Sequence, residues 1–287
     1  MDIRKASFAG SWYPRQASAC DREISQFLSG VTESQTAKSS WIAGIVPHAG
    51  WYYSGAVACR VIHHLKSTDP GDAIDLVVIF GMHLHPGSAN YMMATGAWET
   101  PFGPLPVAEE LARALQERFD FQIETPTRFI QDNTIELQLP FVKRLLNPAA
   151  VLAIGVPPAE ASLDIGRAVV DWARANDRRL RIVGSTDLTH YGPNYGFTPK
   201  GTGPGAVRWV RDQNDREVID AMLGIEPEMV ISVGLRHQNA CCAGAAATAI
   251  AAAKHAGATR SQTIAYATSF DKSPGESFVG YAGVVFG

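Results

Sequence analysis

The chain has 287 residues, of which 46% are hydrophobic and 18% charged, and its formal net charge is -3. This length and composition allow a large buried core, and the lack of a basic run or patch argues against nucleic acid as the main partner. The amino terminus lacks the apolar stretch of a signal peptide, and no apolar run approaches membrane-spanning length. We therefore expect neither nucleic-acid binding nor membrane insertion.

Cysteine usage favours a reducing compartment. The four cysteines are Cys20, Cys59, Cys241 and Cys242. The adjacent pair is a poor disulfide framework, and the spacings do not form a zinc ribbon. A cytoplasmic location fits this pattern best, and Cys20 and Cys59 have the surroundings of plain structural residues.

Strands and helices are predicted to alternate along the chain. In order they are a helix over 21–28, a polar linker over 32–40, a strand over 42–47, a helix over 54–65, strands over 75–81 and 91–95, helices over 107–119 and 133–146, a strand over 149–156, a helix over 162–175, a strand over 180–185, a loop or lid over 192–205, helices over 206–223, 227–235 and 239–255, and strands over 262–268 and 278–285. Ser54 is the expected N-cap of its helix, and Pro140 predicts a kink or break.

The alternation predicts an α/β fold with a mostly parallel central sheet and helices on both faces. The run over 75–81 is continuously apolar, which is typical of a strand covered on both faces. No composition break or internal repeat divides the chain. Residues 1–287 are therefore expected to form a single α/β domain.

Three predicted strands end in polar, turn-rich segments that carry histidine. The first ends at His48, the second leads into His83 and His85, and the third leads into Asp187 and His190. One such histidine is more often a structural residue. Because the carboxyl ends of parallel strands meet at one edge of a sheet, three of them would converge on one crevice. The convergence favours a functional site.

Cys241 lies just before an Ala-rich predicted helix, where the helix N-terminus lowers the pKa of a thiol. Its thiolate could ligate a metal or act as a nucleophile, and an inert buried thiol is an equally good interpretation. Two imidazoles and a thiolate suit Fe(II), copper or zinc, whereas Mg and Ca prefer oxygen. Three protein ligands would leave positions open for water or substrate.

Two further residues are candidates for catalysis. His190 could act as a general base, since a neutral imidazole accepts a proton near pH 7, and Asp187 could orient it or bind substrate directly. Glu136 is better interpreted as a first-turn partner of a helix dipole. Four aromatic residues could wall a substrate pocket, although such clusters more often belong to a core: Trp12, Trp51, Tyr52 and Tyr53.

Five motifs in a fixed order carry a resemblance that runs nearly from end to end. They are Ala9-Gly10-Ser11-Trp12-Tyr13-Pro14, Pro47-His48-Ala49-Gly50-Trp51-Tyr52-Tyr53-Ser54-Gly55, Trp98-Glu99-Thr100-Pro101-Phe102-Gly103, Ile135-Glu136-Leu137-Gln138-Leu139-Pro140-Phe141 and Ser185-Thr186-Asp187-Leu188-Thr189-His190-Tyr191-Gly192. In these motifs the chain resembles the Memo family, also called AmmeMemoRadiSam system protein B.

The resemblance implies the fold of class III extradiol ring-cleaving dioxygenases, which are non-haem Fe(II) enzymes, and a His, His, Cys metal site in a cleft. By resemblance, His48 is the first ligand and Cys241 the third. The second is His83 rather than His85, because the family histidine lies fifteen residues before the aromatic of the Trp-Glu-Thr-Pro motif, here Trp98.

The same resemblance places His190 at the base position of the dioxygenases. The chain departs from the family pattern around the expected site. Met82 precedes His83 where the family usually has Asn or Ser, Asn133 replaces a family histidine, and Cys242 replaces a glycine. Whether Cys241 or Cys242 faces the metal is left open.

Two functions of different classes follow. The first is a metal-dependent oxidoreductase with Fe(II) as the first choice, copper as the second and zinc as less suitable, which would act on O2 or a small phenolic substrate. The alternative is a binding or scaffold protein that uses the same cleft for a peptide or small molecule, since animal relatives are described as adaptors for phosphotyrosine peptides. The sequence specifies neither the substrate nor the oligomeric state, and it is compatible with a homo-oligomer.

Overall fold

The computed structural model describes residues 1–31, 41–67 and 73–287. It is a mixed α/β structure, in which helices flank a large central sheet and a three-stranded sheet lies apart from it. The predicted fold class is therefore confirmed. The polar linker predicted over 32–40 lies outside the described residues.

The described strands form two sheets. In chain order they are β1 (Ile3–Arg4), β2 (Ala43–Val46), β3 (Leu76–Gly81), β4 (Asn90–Met93), β5 (Ala97–Trp98), β6 (Leu105–Pro106), β7 (Phe121–Glu124), β8 (Ala150–Gly155), β9 (Leu180–Ser185), β10 (His190–Tyr191), β11 (Ser261–Thr268) and β12 (Phe278–Phe286). Strands β1, β5 and β6 make the small sheet.

The helices come between these strands for most of the chain. In order they are α1 (Ala17–Phe27), α2 (Ala56–His64), α3 (Glu109–Gln116), α4 (Asn133–Glu136), α5 (Leu139–Phe141), α6 (Glu160–Ala175), α7 (Pro204–Trp209), α8 (Asp215–Leu223), α9 (Pro227–His237) and α10 (Ala243–Ala256). Within the described ranges, no helix combines the length and the apolar character needed to cross a membrane.

The large sheet has a parallel centre, which antiparallel pairings join to the strands on either side, and its edge strand β7 pairs with β4 in parallel fashion. Its strand order is β10-β12-β2-β9-β3-β8-β4-β7, and β11 also pairs with β12. Strands β2, β9, β3 and β8 are parallel neighbours, whereas β12 joins β2 and β4 joins β8 in antiparallel fashion. All residues of β3 are buried, as a strand covered on both faces requires. This parallel centre brings together the carboxyl ends of β2, β3 and β9, which lead to His48, His83 and Asp187.

Helices cover both faces of this centre. The α-carbon of Gly44 in β2 faces Val61 of α2, and that of Gly184 in β9 faces Ala249 of α10. These contacts lie on opposite faces, because Gly184 pairs with Ile45 and successive residues of a strand point to opposite sides. In α10 every residue from Ala243 to Ala253 is buried, so its small side chains let the helix approach the sheet and α6 closely.

Three helical predictions differ in detail from the structure. The helix expected over 133–146 is broken into α4, α5 and a π-helical turn at Val142–Leu146, in agreement with the break expected from Pro140. A π-helical turn at Val210–Asn214 likewise interrupts the helix expected over 206–223. Ser54 is not an N-cap, since it lies inside a π-helical turn before α2 and its hydroxyl donates to the carbonyl oxygen of Ala49 at 3.0 Å.

Candidate metal centre

The three histidine-bearing strand ends lie side by side. Strand β9 stands between β2 and β3, with Val46 of β2 paired to Ser185 and Phe80 of β3 paired to Gly184. The chain therefore leaves the sheet at one edge in all three places. This is the convergence that the sequence predicted, and it depends on the parallel pairing of these strands.

Four potential ligands gather at this edge. One donor atom from each of His48, His83, Cys241 and Cys242 lies within 4.8 Å of the others. The Sγ atom of Cys241 is 3.3 Å from Nε2 of His48, and the two imidazole rings are 4.9 Å apart between centroids. The structure thus brings together the three predicted ligands, while His85 is exposed and lies outside the cluster. Their role as ligands stays a prediction.

Hydrogen bonds fix the orientation of the His48 ring, which is 1% exposed. Ser185 donates its only hydroxyl proton to the carbonyl oxygen of Thr134 at 2.7 Å. Its oxygen lies 3.0 Å from Nδ1 of His48 and can therefore only accept a hydrogen bond from that nitrogen. Nε2 therefore points at Cys241. The backbone N–H of His48 also donates to Oδ1 of Asp187 at 2.7 Å. A ring held through one nitrogen presents the other to a ligand or proton.

Cys241 and Cys242 hold their sulfur atoms 3.7 Å apart just before α10. Burial raises the pKa of the Cys241 thiol, but hydrogen bonding with Cys242 and the nearby charge of His48 outweigh it and leave this pKa well below its ordinary value. Burial and the charge of Cys241 raise the pKa of Cys242 well above its ordinary value. Of the two thiols, that of Cys241 is therefore the more readily ionised.

His83 is positioned by an unusual backbone turn. Met82, which precedes it, has a φ of 71°, and its N–H donates to Oγ1 of Thr134 at 2.7 Å. Nδ1 of His83 lies 3.8 Å from Oδ2 of Asp132, the N-cap of α4. Burial lowers the pKa of His83, but interactions with the nearby Asp132 and Cys241 outweigh it and raise this pKa to about 10.

Asp187 lies between the cluster and His190. Its Oδ2 atom is 3.9 Å from Nε2 of His48 and 3.9 Å from Nε2 of His190. Burial of the Asp187 carboxyl raises its pKa. His190 is partly exposed and stacks on Tyr195, with the ring centroids 5.0 Å apart. The two candidate catalytic residues therefore adjoin the cluster, with His190 on the solvent side.

A cleft of about 630 Å³ opens onto His48, His83, Asp187 and His190. Of the four predicted aromatic wall residues, three line it, but Trp51 does not, since it is buried and stacks on Phe141 with the centroids 4.1 Å apart. The predicted loop over 192–205 contributes Tyr195. The C-terminal segment also lines the cleft, which the sequence did not predict, through Ser269, Ser273, Ser277, Val279 and Tyr281.

Comparison with known proteins identifies the family. The family model described as Memo-like protein matches residues 4–285. The chain belongs to the Memo family. The resemblance seen in the five motifs is thereby confirmed.

Archaeal MEMO1 family proteins are similar to this Memo-family chain over most of its length. The protein from Methanothermobacter thermautotrophicus is 30% identical over 98% of this chain and 99% of its own. The protein from Thermococcus onnurineus is 28% identical over 99% of this chain and 99% of its own. The protein from Methanopyrus kandleri is 32% identical over 84% of this chain and 82% of its own. An uncharacterized Escherichia coli K12 protein of known structure covers 86% of this chain and all of its own with a TM-score of 0.53 and 14% identity, which supports the fold alone.

Glu136 has a different role in this Memo-family chain from the one that the sequence suggested. It lies in the first turn of α4, as expected, but its buried carboxylate accepts hydrogen bonds from the backbone N–H groups of Ser7 at 2.9 Å and Phe8 at 2.8 Å. It also accepts from the Tyr13 hydroxyl at 3.1 Å. Glu136 therefore ties down the amino-terminal segment that carries Trp12 to the cleft.

The donor set fits a transition metal. His48 and His83 offer nitrogen, Cys241 offers sulfur, and Asp132 and Ser185 lie behind the two imidazoles, as the partners of metal-binding histidines commonly do. Sequence reasoning missed Asp132 and Ser185. The available signals were the N-cap pattern Asp132-Asn133-Thr134 and the position of Ser185 at the end of β9.

Proposed function

We propose that this Memo-family protein is a metal-dependent oxidoreductase whose redox ion, Fe(II) or copper, is held by His48, His83 and Cys241. The observation that carries the proposal is that these donors come from three distant parts of the chain and meet beside an open cleft. Three protein donors leave room for water or substrate on the cleft side. A bound ion would supply one-electron chemistry and polarise an oxygen atom of the substrate.

The protein's own groups suit a phenolic substrate. Trp12, Tyr52 and Tyr195 offer aromatic faces against which a ring can pack. His190, on the solvent side of Asp187, would accept the proton of a phenolic hydroxyl that enters the cleft, and Asp187 would stabilise the resulting imidazolium. His48 and Asp187, which line this cleft, are themselves buried.

Metal analysis of protein expressed anaerobically with added iron or copper tests the proposal. We expect stoichiometric metal in the wild-type protein and its loss in His48→Ala. His85→Ala is the matched control, because His85 is an exposed histidine outside the cluster on the same loop as His83. An empty wild-type protein, or full retention of metal in His48→Ala, would contradict the proposal.

A second function is favoured by the exposed aromatic rim of the cleft. Tyr52 is 63% exposed, Tyr195 48% and Trp12 41%, which is unusual for such large side chains and typical of a binding surface. A scaffold function would leave ligand binding intact in His48→Ala and Cys241→Ala. The enzymatic function instead predicts that His190→Gln retains metal and ligand binding but loses turnover.

A further inference from the structure

We propose that the sulfur of Cys242 is a fourth metal donor, so that the centre is a two-nitrogen, two-sulfur set which prefers copper(I) to Fe(II). This inference rests on the proposed function, since it assumes that the cluster holds an ion. It goes further because it names a ligand beyond His48, His83 and Cys241. It also decides between the two ions that the proposed function leaves open.

The separations between the donors support four-coordinate binding. With metal–sulfur bonds of about 2.3 Å and metal–nitrogen bonds of about 2.0 Å, a tetrahedral ion needs its two sulfurs about 3.8 Å apart and each sulfur about 3.5 Å from a nitrogen. The sulfurs of Cys241 and Cys242 are 3.7 Å apart, and Cys241 Sγ is 3.3 Å from His48 Nε2. Two edges of the tetrahedron are therefore already formed, and every other donor pair lies within 4.8 Å.

The backbone holds both cysteines in place. The N–H of Cys241 donates to the carbonyl oxygen of Asp187 at 3.1 Å, and the N–H of Cys242 donates to Oγ1 of Thr186 at 3.0 Å. Behind them, the start of α10 packs so closely on the loop after β8 that a Cβ on Gly244 would lie 2.4 Å from the carbonyl group of Pro157. The two sulfurs are thus held at the end of β9 without needing a metal to draw them together.

The second sulfur changes which ion the site prefers. Thiolates are soft donors that favour Cu(I), whereas Fe(II) in open redox sites is commonly held by nitrogen and carboxylate oxygen. Cys242 is 3% exposed and lies behind the cluster, away from the residues that line the cleft. Binding an ion there would displace the thiol proton of Cys242 to the buffer, and the second sulfur would take the fourth position that a three-donor centre leaves to water or substrate.

Cobalt(II) titration of the reduced protein tests this donor set, because each cobalt–thiolate bond contributes to the charge-transfer absorption. We expect Cys242→Ala to bind Co(II) with roughly half of the wild-type charge-transfer intensity, as loss of one of two sulfurs requires. Cys20→Ala is the control, since Cys20 is a buried thiol on α1 outside the cluster. Circular dichroism verifies that both variants are folded, and Cys242→Ser provides a second test with an oxygen in place of the sulfur.

Competition between ions tests the selectivity. We expect Cys242→Ala to lose more than about 10-fold in Cu(I) affinity, because even loss of a group that only supports a ligand costs about 10- to 100-fold, while its Fe(II) affinity changes little. Unchanged cobalt charge transfer, or an equal loss of affinity for both ions, would overturn the role of Cys242 and leave the three-donor centre standing. Failure of the wild-type protein to bind any of the three ions would overturn the proposed function as well.

Discussion

His48 and Ser185, which lie at the ends of neighbouring parallel strands, form a hydrogen bond of 3.0 Å between Nδ1 and Oγ. Ser185 can only accept in this bond, because its proton is donated to Thr134. The imidazole of a completely buried residue is thereby held with Nε2 directed at Cys241, which lies 193 positions further along the chain.

Ser185→Ala is expected to weaken metal binding without unfolding the protein. The substitution removes the acceptor for Nδ1 of His48, and loss of such a partner typically costs 10- to 100-fold in metal affinity. Isothermal titration with the ion measures the change. Ser261→Ala, which removes a side-chain bond to Leu223 far from the cluster, should leave the affinity unchanged. Equal affinities of the wild-type protein and Ser185→Ala would refute the orienting role.

Glu136→Gln is expected to destabilise the protein by about 2 to 4 kcal/mol, because an amide cannot replace the buried carboxylate that accepts three hydrogen bonds. The amino-terminal segment with Trp12 should also become more accessible to proteases. Urea unfolding and limited proteolysis measure the two effects. Substitution of an exposed residue, Glu117→Gln, is the control. If Glu136→Gln were as stable and as resistant to proteases as the wild-type protein, the anchoring role would be ruled out.

Two glycine substitutions should have opposite effects. In Gly244→Ala the new Cβ would meet the Pro157 backbone at 2.4 Å, so the start of α10 must move, at a cost of about 1 to 3 kcal/mol. Because Cys241 and Cys242 precede this helix, metal affinity should fall too. In Gly205→Ala, where nothing lies within 4 Å, the better helix propensity should stabilise the protein by about 0.5 kcal/mol. Thermal unfolding and metal titration measure the stability and the metal affinity of the two variants. Equal stability and equal metal affinity would contradict the close approach of α10 to Pro157 at Gly244.

Asp215 should make stability depend on pH. Its buried carboxyl accepts hydrogen bonds from the Thr189 N–H at 3.0 Å and the Tyr266 hydroxyl at 2.7 Å. Burial outweighs these bonds and raises its pKa from 3.8 to about 6. Since the folded state then binds the proton more tightly than the unfolded state, ionisation of Asp215 costs stability as the pH rises through this range.

The free energy of unfolding, relative to Asp215→Asn, should therefore fall by up to about 3 kcal/mol between the unfolded pKa of 3.8 and the folded pKa of about 6. Above this range the difference between the two proteins should be constant. Urea unfolding at a series of pH values measures it, with the exposed Asp212→Asn as control. Parallel profiles for the wild-type protein and Asp215→Asn would contradict a raised pKa.

Long regular segments were predictable because their patterns are local. The buried run of β3 and the strand β9 were found within a residue of their bounds, and the break at Pro140 follows from the chemistry of proline. Strands β1, β5, β6 and β10 have only two residues each, too few for any periodicity. The N-cap expected at Ser54 failed because a π-helical turn extends the helical segment towards the amino terminus.

The sequence by itself determined the α/β class, the Memo resemblance and the candidate residues at the strand ends, because these depend on periodicity and on contiguous motifs. Only the tertiary structure decided that Cys242 joins Cys241 in the cluster, that Asp132 and Ser185 hold the two imidazoles, and that Trp51 belongs to the core. The reason is physical: such contacts join groups that lie far apart along the chain, and their distances arise from how strands pair and helices pack, which no local pattern of residues encodes.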